Sequence, residues 1–128
     1  MKISKNIIEE IKKHAKEEAP LEACGYLAGK EGSAAELFRM TNIDKSEEHF
    51  SFDPKEQFRA IKDARAKNLS LIAVYHSHPN SPARLSDEDI RLAHDPDTVY
   101  VIHSLLDGET KGFRVVNGEI LDELLQIA

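Results

Sequence analysis

One cysteine, Cys24, stands in 128 residues, and tryptophan is missing altogether. A lone thiol excludes a disulfide framework and any zinc site built from several thiolates. No apolar run approaches the roughly 20 residues that a membrane-spanning helix needs, and the N-terminal segment has no signal-peptide pattern. Basic residues are outnumbered, 17 Lys and Arg against 23 Asp and Glu, for a formal net charge of −6. With no basic stripe to meet phosphates, nucleic acid is not an expected partner. Carboxylates leave room for a cation instead. A cytoplasmic protein without membrane contacts is the expectation. Two metal signatures are also missing. There is no H-E-x-x-H, and the zinc-deaminase pattern of H-x-E with P-C-x-x-C cannot be built from one cysteine.

What is there suffices for one domain, residues 1–128, with roughly two-thirds of the unfolded surface buried on folding. Ser4 is an N-cap, and Ile7, Ile8, Ile11 and Ala15 recur at helical spacing until Pro20 stops the helix. "ACGYLAG" and "AELFRMTNI" are expected to pair as strands across the turn "KEGSA". Phe50 and Phe52 share a face of the short alternating stretch "HFSFDP". Asp53 followed by Pro54 opens a second helix, which ends near "KNLS". "LIAVYHSH" is the strongest strand. "SDEDIRLAHD" is a short helix with an acidic first turn, suited to the helix dipole. "TVYVIHSLLD", the turn "DGETKG" and the strand "FRVVNGE" follow, and the tail "ILDELLQIA" fits strand or helix. This order implies an α/β fold of mixed α+β type: a mixed sheet flanked by helices.

"YHSHPNSPARLSDEDI", residues 75–90, is more than scaffold. On a strand, His76 and His78 point to one side and can converge on one point. Pro79 ends the ladder, so His78 sits at the strand's edge. Asp89 lies in the first turn of the next helix, within reach of a short loop folding back. Two histidines and a carboxylate form a usual catalytic zinc set, with a fourth position left for water. Ser86 and Asp89 fit equally an N-cap and a capping-box acid, and the two roles can coexist. Glu22, taken alone, is a solvated carboxylate after a helix end. Cys24 fits a small buried residue. His14, His49, His94 and His103 have no partners at ligand spacing and fit surface or core positions, His103 on a strand face.

His76, Ser77, His78 and Pro79, followed by Ser86 and Asp89 with seven residues between His78 and Ser86, resemble the JAMM (MPN+) metalloprotease motif H-x-H-P…S-x-x-D. Glu22 in "PLEACGYLAG" stands where that family has its upstream Glu, and Cys24-Gly25 resemble the compact prokaryotic branch. The resemblance runs over nearly the whole chain. One departure is Leu85, where the family commonly has Pro before the motif Ser; Pro82 lies earlier in the loop.

The resemblance implies the JAMM/MPN fold, a curved mixed sheet with flanking helices. It implies one zinc held by His76, His78 and Asp89, with Glu22 as the acid–base and Ser86 as the oxyanion donor, while Ser77 supports the loop. The implied reaction is hydrolysis of the amide after the C-terminal Gly-Gly of a small ubiquitin-like sulfur carrier, releasing cysteine, a peptide or a lysine conjugate. Only eight residues separate Asp89 from Thr98, too few for the insertions that hold a polyubiquitin chain. A Gly-Gly tail can thread a narrow channel and lie extended along a strand edge. Two other readings stay open: a non-catalytic MPN scaffold that binds partners, and a metal hydrolase of some other small amide.

Overall fold

The computed structural model describes residues 1–128. Its elements are β1 (Lys2–Ile3), α1 (Lys5–Glu18), β2 (Cys24–Lys30), β3 (Ser33–Met40), α2 (Pro54–Ala66), β4 (Ser70–His78), α3 (Asp87–Leu92), β5 (Val99–Ser104), β6 (Thr110–Val116), β7 (Glu119–Glu123) and β8 (Gln126–Ile127). They build an eight-stranded sheet in the order β7-β6-β5-β4-β2-β3-β1-β8. The sheet is mixed: β4 and β5 are parallel across the α3 crossover, β1 is parallel to β3 and β8, and the other pairs are antiparallel. No helix is long and apolar enough to cross a membrane.

The helices begin where the sequence signals them. Ser4 Oγ accepts from the Ile7 N–H, and the Asp53 carboxylate accepts from the Lys55 N–H with Pro54 at the first helical position. The inward stripe of α1, Ile7, Ile8 and Ile11, packs on Leu27, Ala73, Tyr75, Val99 and Val101. Below it, Gly25 makes room for Tyr75. A Cβ at that position would lie 2.3 Å from the Tyr75 ring and 2.5 Å from the Phe38 carbonyl oxygen.

The far end of the chain departs from expectation. "FRVVNGE" is not one strand: Asn117 and Gly118 take positive φ angles of 52° and 80° and turn β6 into β7. That is the backbone a two-residue hairpin turn requires, and Asn-Gly supplies it at little steric cost. The ambiguous tail becomes β7 and β8. α3 is shorter than "SDEDIRLAHD", stopping at Leu92. β1 was not signalled at all, since two residues carry no periodicity.

Candidate active site

Alternation along β4 turns Ala73 and Tyr75 toward α1 and His76 and His78 toward the opposite face. β2 runs antiparallel beside β4 with Cys24 opposite His76, so Glu22, just before β2, lies toward His78. Its backbone is held on both sides. The Glu22 N–H donates to the Ser46 carbonyl at 2.8 Å, and its carbonyl accepts from Asn42 Nδ2 at 3.1 Å. Next to it, the Ala23 N–H donates to Ser77 Oγ at 2.8 Å, and the Ser77 N–H returns to the Ala23 carbonyl. Ser77 therefore fixes the Glu22 segment rather than the loop after β4.

That loop is pinned from β5 and by burial. Leu105 N–H donates to the His78 carbonyl, and Ser104 Oγ donates to the Ser81 carbonyl at 2.6 Å. Ala83 and Leu85 sink into a cluster with Ile102, Phe113 and Val115. Leu85 thus anchors by packing the segment that a proline would stiffen. The loop delivers Ser86 to the start of α3, where a capping box closes: Ser86 Oγ accepts from the Asp89 N–H, and Asp89 Oδ2 accepts from the Ser86 N–H at 2.9 Å.

The same Oδ2 lies 3.3 Å from His76 Nε2 and 3.3 Å from His78 Nε2, and the two imidazole nitrogens are 3.1 Å apart. Capping and convergence therefore coexist, and the cap orients the carboxylate. His78 Nδ1 is 2.9 Å from the Pro82 carbonyl, which can only accept, so Nδ1 carries the proton and Nε2 presents its lone pair. A lone pair facing a carboxylate and a second imidazole is repulsive unless positive charge lies between them. A tetrahedral ion with bonds near 2.0–2.1 Å separates its ligand atoms by roughly 3.3 Å. The three donor atoms have that spacing, so His76, His78 and Asp89 fit a divalent cation.

Electrostatics agree. Burial would raise the Asp89 carboxyl, but the His76 and His78 rings beside it and the Ser86 N–H hold it well below the usual carboxylate range. Burial would lower His78, and Asp89 and the Pro82 carbonyl overcome it and raise it. The pocket favours positive charge. Glu22 goes the other way. It is 3% exposed and its Oε1 has no hydrogen-bond partner. Burial pushes its carboxyl up to about 8, opposed by His78 and reinforced by Asp89, Glu88 and Glu48. A carboxyl near neutrality is placed to take and return a proton.

Cys24 is fully buried among Met40 and Ala60, and burial pushes its thiol up to about 12, so it packs as an apolar residue. His14 bonds Tyr75 and His103 bonds Thr110, both away from the constellation. His49 lies on an exposed loop against Asp44, and His94 follows α3.

Two contributors escaped the sequence reading. Asn42 is buried, its Nδ2 donating to the carbonyls of Glu22, Ser46 and His49 and its Oδ1 accepting from the Asp44 N–H. It folds the 42–52 loop over Glu22. The string "TNIDKS" held the signal, since Asn bonding the backbone two residues on is a turn former. Phe50 places its ring 4.8 Å from that of His76, on the wall of an aromatic cavity of about 370 Å³ that opens on His76 and Asp89. Its alternation with Phe52 marked a shared face, but nothing local placed that face against His76.

Comparison with known proteins shows what this chain is similar to. The family model described as prokaryotic homologs of the JAB domain matches residues 4–116. The CysO-cysteine peptidase of Mycobacterium tuberculosis is 32% identical over 130 residues, covering 98% of this chain and 89% of that protein. A probable TtuB-protein conjugate cleaving protease of Thermus thermophilus is 34% identical over 92 residues, 71% of this chain and 62% of that one. A solution structure of a Desulfitobacterium hafniense protein superposes with a TM-score of 0.91 at 37% identity, covering 99% of this chain and 92% of the other.

Proposed function

This chain belongs to the prokaryotic JAB-domain family of JAMM metallopeptidases, and from that premise we propose that it is a zinc peptidase acting at the Gly-Gly terminus of a small ubiquitin-like sulfur carrier. The observation that carries the proposal is the 3.1–3.3 Å triangle of His76, His78 and Asp89 donor atoms with the buried Glu22 toward His78.

His76, His78 and Asp89 hold the ion. A zinc ion there supplies Lewis-acid polarisation and lowers the pKa of water toward about 7. Glu22 takes the proton of the attacking water. The water oxygen joins the carbonyl carbon of the terminal glycine, the C–N bond breaks, and Glu22 returns the proton to the leaving nitrogen. The second proton of the water also passes to the amine, so the products are the carrier carboxylate and a protonated amine. Ser86 Oγ, already accepting from the Asp89 N–H, keeps its own proton free to donate to the oxyanion. Such a donor lowers the barrier by roughly 3 kcal/mol. The walls of the aromatic cavity, Tyr26, Phe50, Phe52 and Tyr100, suit an extended tail without side chains. The proposed substrate is an intracellular carrier, so a cytoplasmic location goes with this reading.

The test is cleavage of CysO–cysteine, the adduct that gives the mycobacterial relative its name, by zinc-loaded wild type and Glu22→Gln. Release of cysteine by wild type and not by the variant supports the assignment. Equal turnover by both overturns the role of Glu22, and no turnover by either overturns the substrate class.

A further inference from the structure

Two cavities open on the constellation, and they differ in chemistry. The aromatic one meets it at His76 and Asp89 and also presents Glu88, so its charged lining is acidic. The second, about 460 Å³, meets it at His78 and Ser86 and is lined further by Ser81, Arg84, Leu85 and Asp87. Arg84 is the one Lys or Arg side chain in that lining. It is exposed, and its guanidinium makes neither an ion pair nor a hydrogen bond, as for Arg59 and Arg65 on α2, whereas Arg39, Arg91 and Arg114 each stand against a glutamate. Asp87, the acid in the same cavity, forms no ion pair with it. The backbone under Arg84 is fixed: its N–H donates to the Pro82 carbonyl at 2.9 Å, and its neighbours Ala83 and Leu85 are buried. Burial of both flanking side chains turns Arg84 outward, two residues before Ser86.

An unpaired guanidinium on a fixed backbone matches a carboxylate. On the carrier side of the scissile bond a Gly-Gly tail offers none. On the leaving side, an α-amino acid adduct has its carboxylate two bonds beyond the amide nitrogen. A lysine joined through its side chain has no charge near that bond. Resting on the peptidase reading above, we propose that Arg84 binds the α-carboxylate of the leaving amino acid, so that the enzyme selects carrier–amino acid adducts over isopeptide conjugates.

The test compares zinc-loaded wild type, Arg84→Gln and Arg84→Lys on CysO–cysteine as the free acid and as the C-terminal amide. Wild type is expected to favour the acid by about 10- to 100-fold in kcat/KM, chiefly through KM, the scale of one charge-assisted hydrogen-bonded contact. In Arg84→Gln the acid-to-amide ratio falls toward one, and Arg84→Lys restores part of it. Binding of both adducts to Glu22→Gln, followed by calorimetry, gives the same comparison with turnover removed. A wild-type ratio near one, or a ratio that survives in Arg84→Gln, overturns the inference and leaves the peptidase reading intact. No cleavage of either adduct overturns the substrate class and this inference with it.

Discussion

Ala73 and Tyr75 on β4 meet α1, whereas His76 and His78, from the same strand, meet the loop and short helix on the other face. Polar groups behave differently on the two sides. Toward α1 they are satisfied in pairs: His14 Nδ1 with the Tyr75 hydroxyl at 2.8 Å, and His103 Nδ1 with Thr110 Oγ1 at 2.8 Å. Toward the site they are crowded or left over. Three ligand-type atoms share one small volume, and Glu22 Oε1 and His76 Nδ1 have no partner. Buried polar groups are costly unless bonded, so a fold that leaves several in one place is completed by something it binds. One face is finished by its own residues and the other by a ligand. Substitutions on the two faces should therefore fail in different ways.

The largest effect is expected at the ligand atoms. His78→Ala removes one corner of the triangle and the Pro82 contact that orients it. Hydrolysis should fall by at least about 10⁴-fold, and zinc per chain, measured by elemental analysis after gel filtration, should fall well below one. Full zinc occupancy with normal turnover would erase the distinction between the faces.

Glu22→Gln separates catalysis from stability. Turnover should fall by about 10²–10⁴-fold with zinc retained. In metal-free protein the same change should stabilise. The Glu22 carboxyl titrates near 4.5 when unfolded and is pushed up to about 8 when folded. Between those values the unfolded chain releases a proton that the folded chain keeps, so wild type loses stability as pH rises through this window. At pH 8 the variant should be more stable by on the order of 2–4 kcal/mol, and the gain should vanish below about pH 4.5. Urea unfolding with chelator at pH 4 and pH 8 decides it.

On the α1 face the response should be purely structural. Gly25→Ala drives a methyl group into the Tyr75 ring and the Phe38 carbonyl. Overpacking of this kind costs about 3 kcal/mol, with zinc affinity per folded molecule unchanged. Denaturant midpoints and metal titration of the folded fraction would show whether the two faces are that independent.

How much of this was legible in the sequence follows from how local each feature is. Ser4, Asp53 with Pro54, and the apolar run of β4 carry their own signals, and the structure uses all of them. His76, His78 and Asp89 were readable as a set because alternation and a short loop bring them close. The burial of Glu22 was not. It depends on the 42–52 loop folding across it, held by Asn42, a contact between segments with no shared periodicity. β1 and β8 are two residues each and exist only because distant strands accept them. The Asn117–Gly118 turn carries a local hairpin signal inside "FRVVNGE", where the expectation is a single strand.

The smallest effect tests the satisfied face. Tyr75→Phe keeps the ring over Gly25 and removes only the hydroxyl that pairs with His14. A buried partner left unmatched costs about 1–2 kcal/mol, and turnover per folded molecule should not change. His14 adds a pH signature. Burial, with Arg39, lowers it below its ordinary 6.5, against the pull of Glu18 and Glu17. Above pH 6.5 neither the folded nor the unfolded chain protonates this ring, and its contribution to stability is whole. As pH falls below 6.5 the unfolded chain takes up a proton that the folded ring resists, and the contribution declines. The stability difference between wild type and His14→Gln should therefore hold from pH 7.5 to about pH 6.5 and shrink from there to pH 5. A difference that stays flat over that range would mean that His14 accepts a proton in place, and that this face too keeps a polar group open to change.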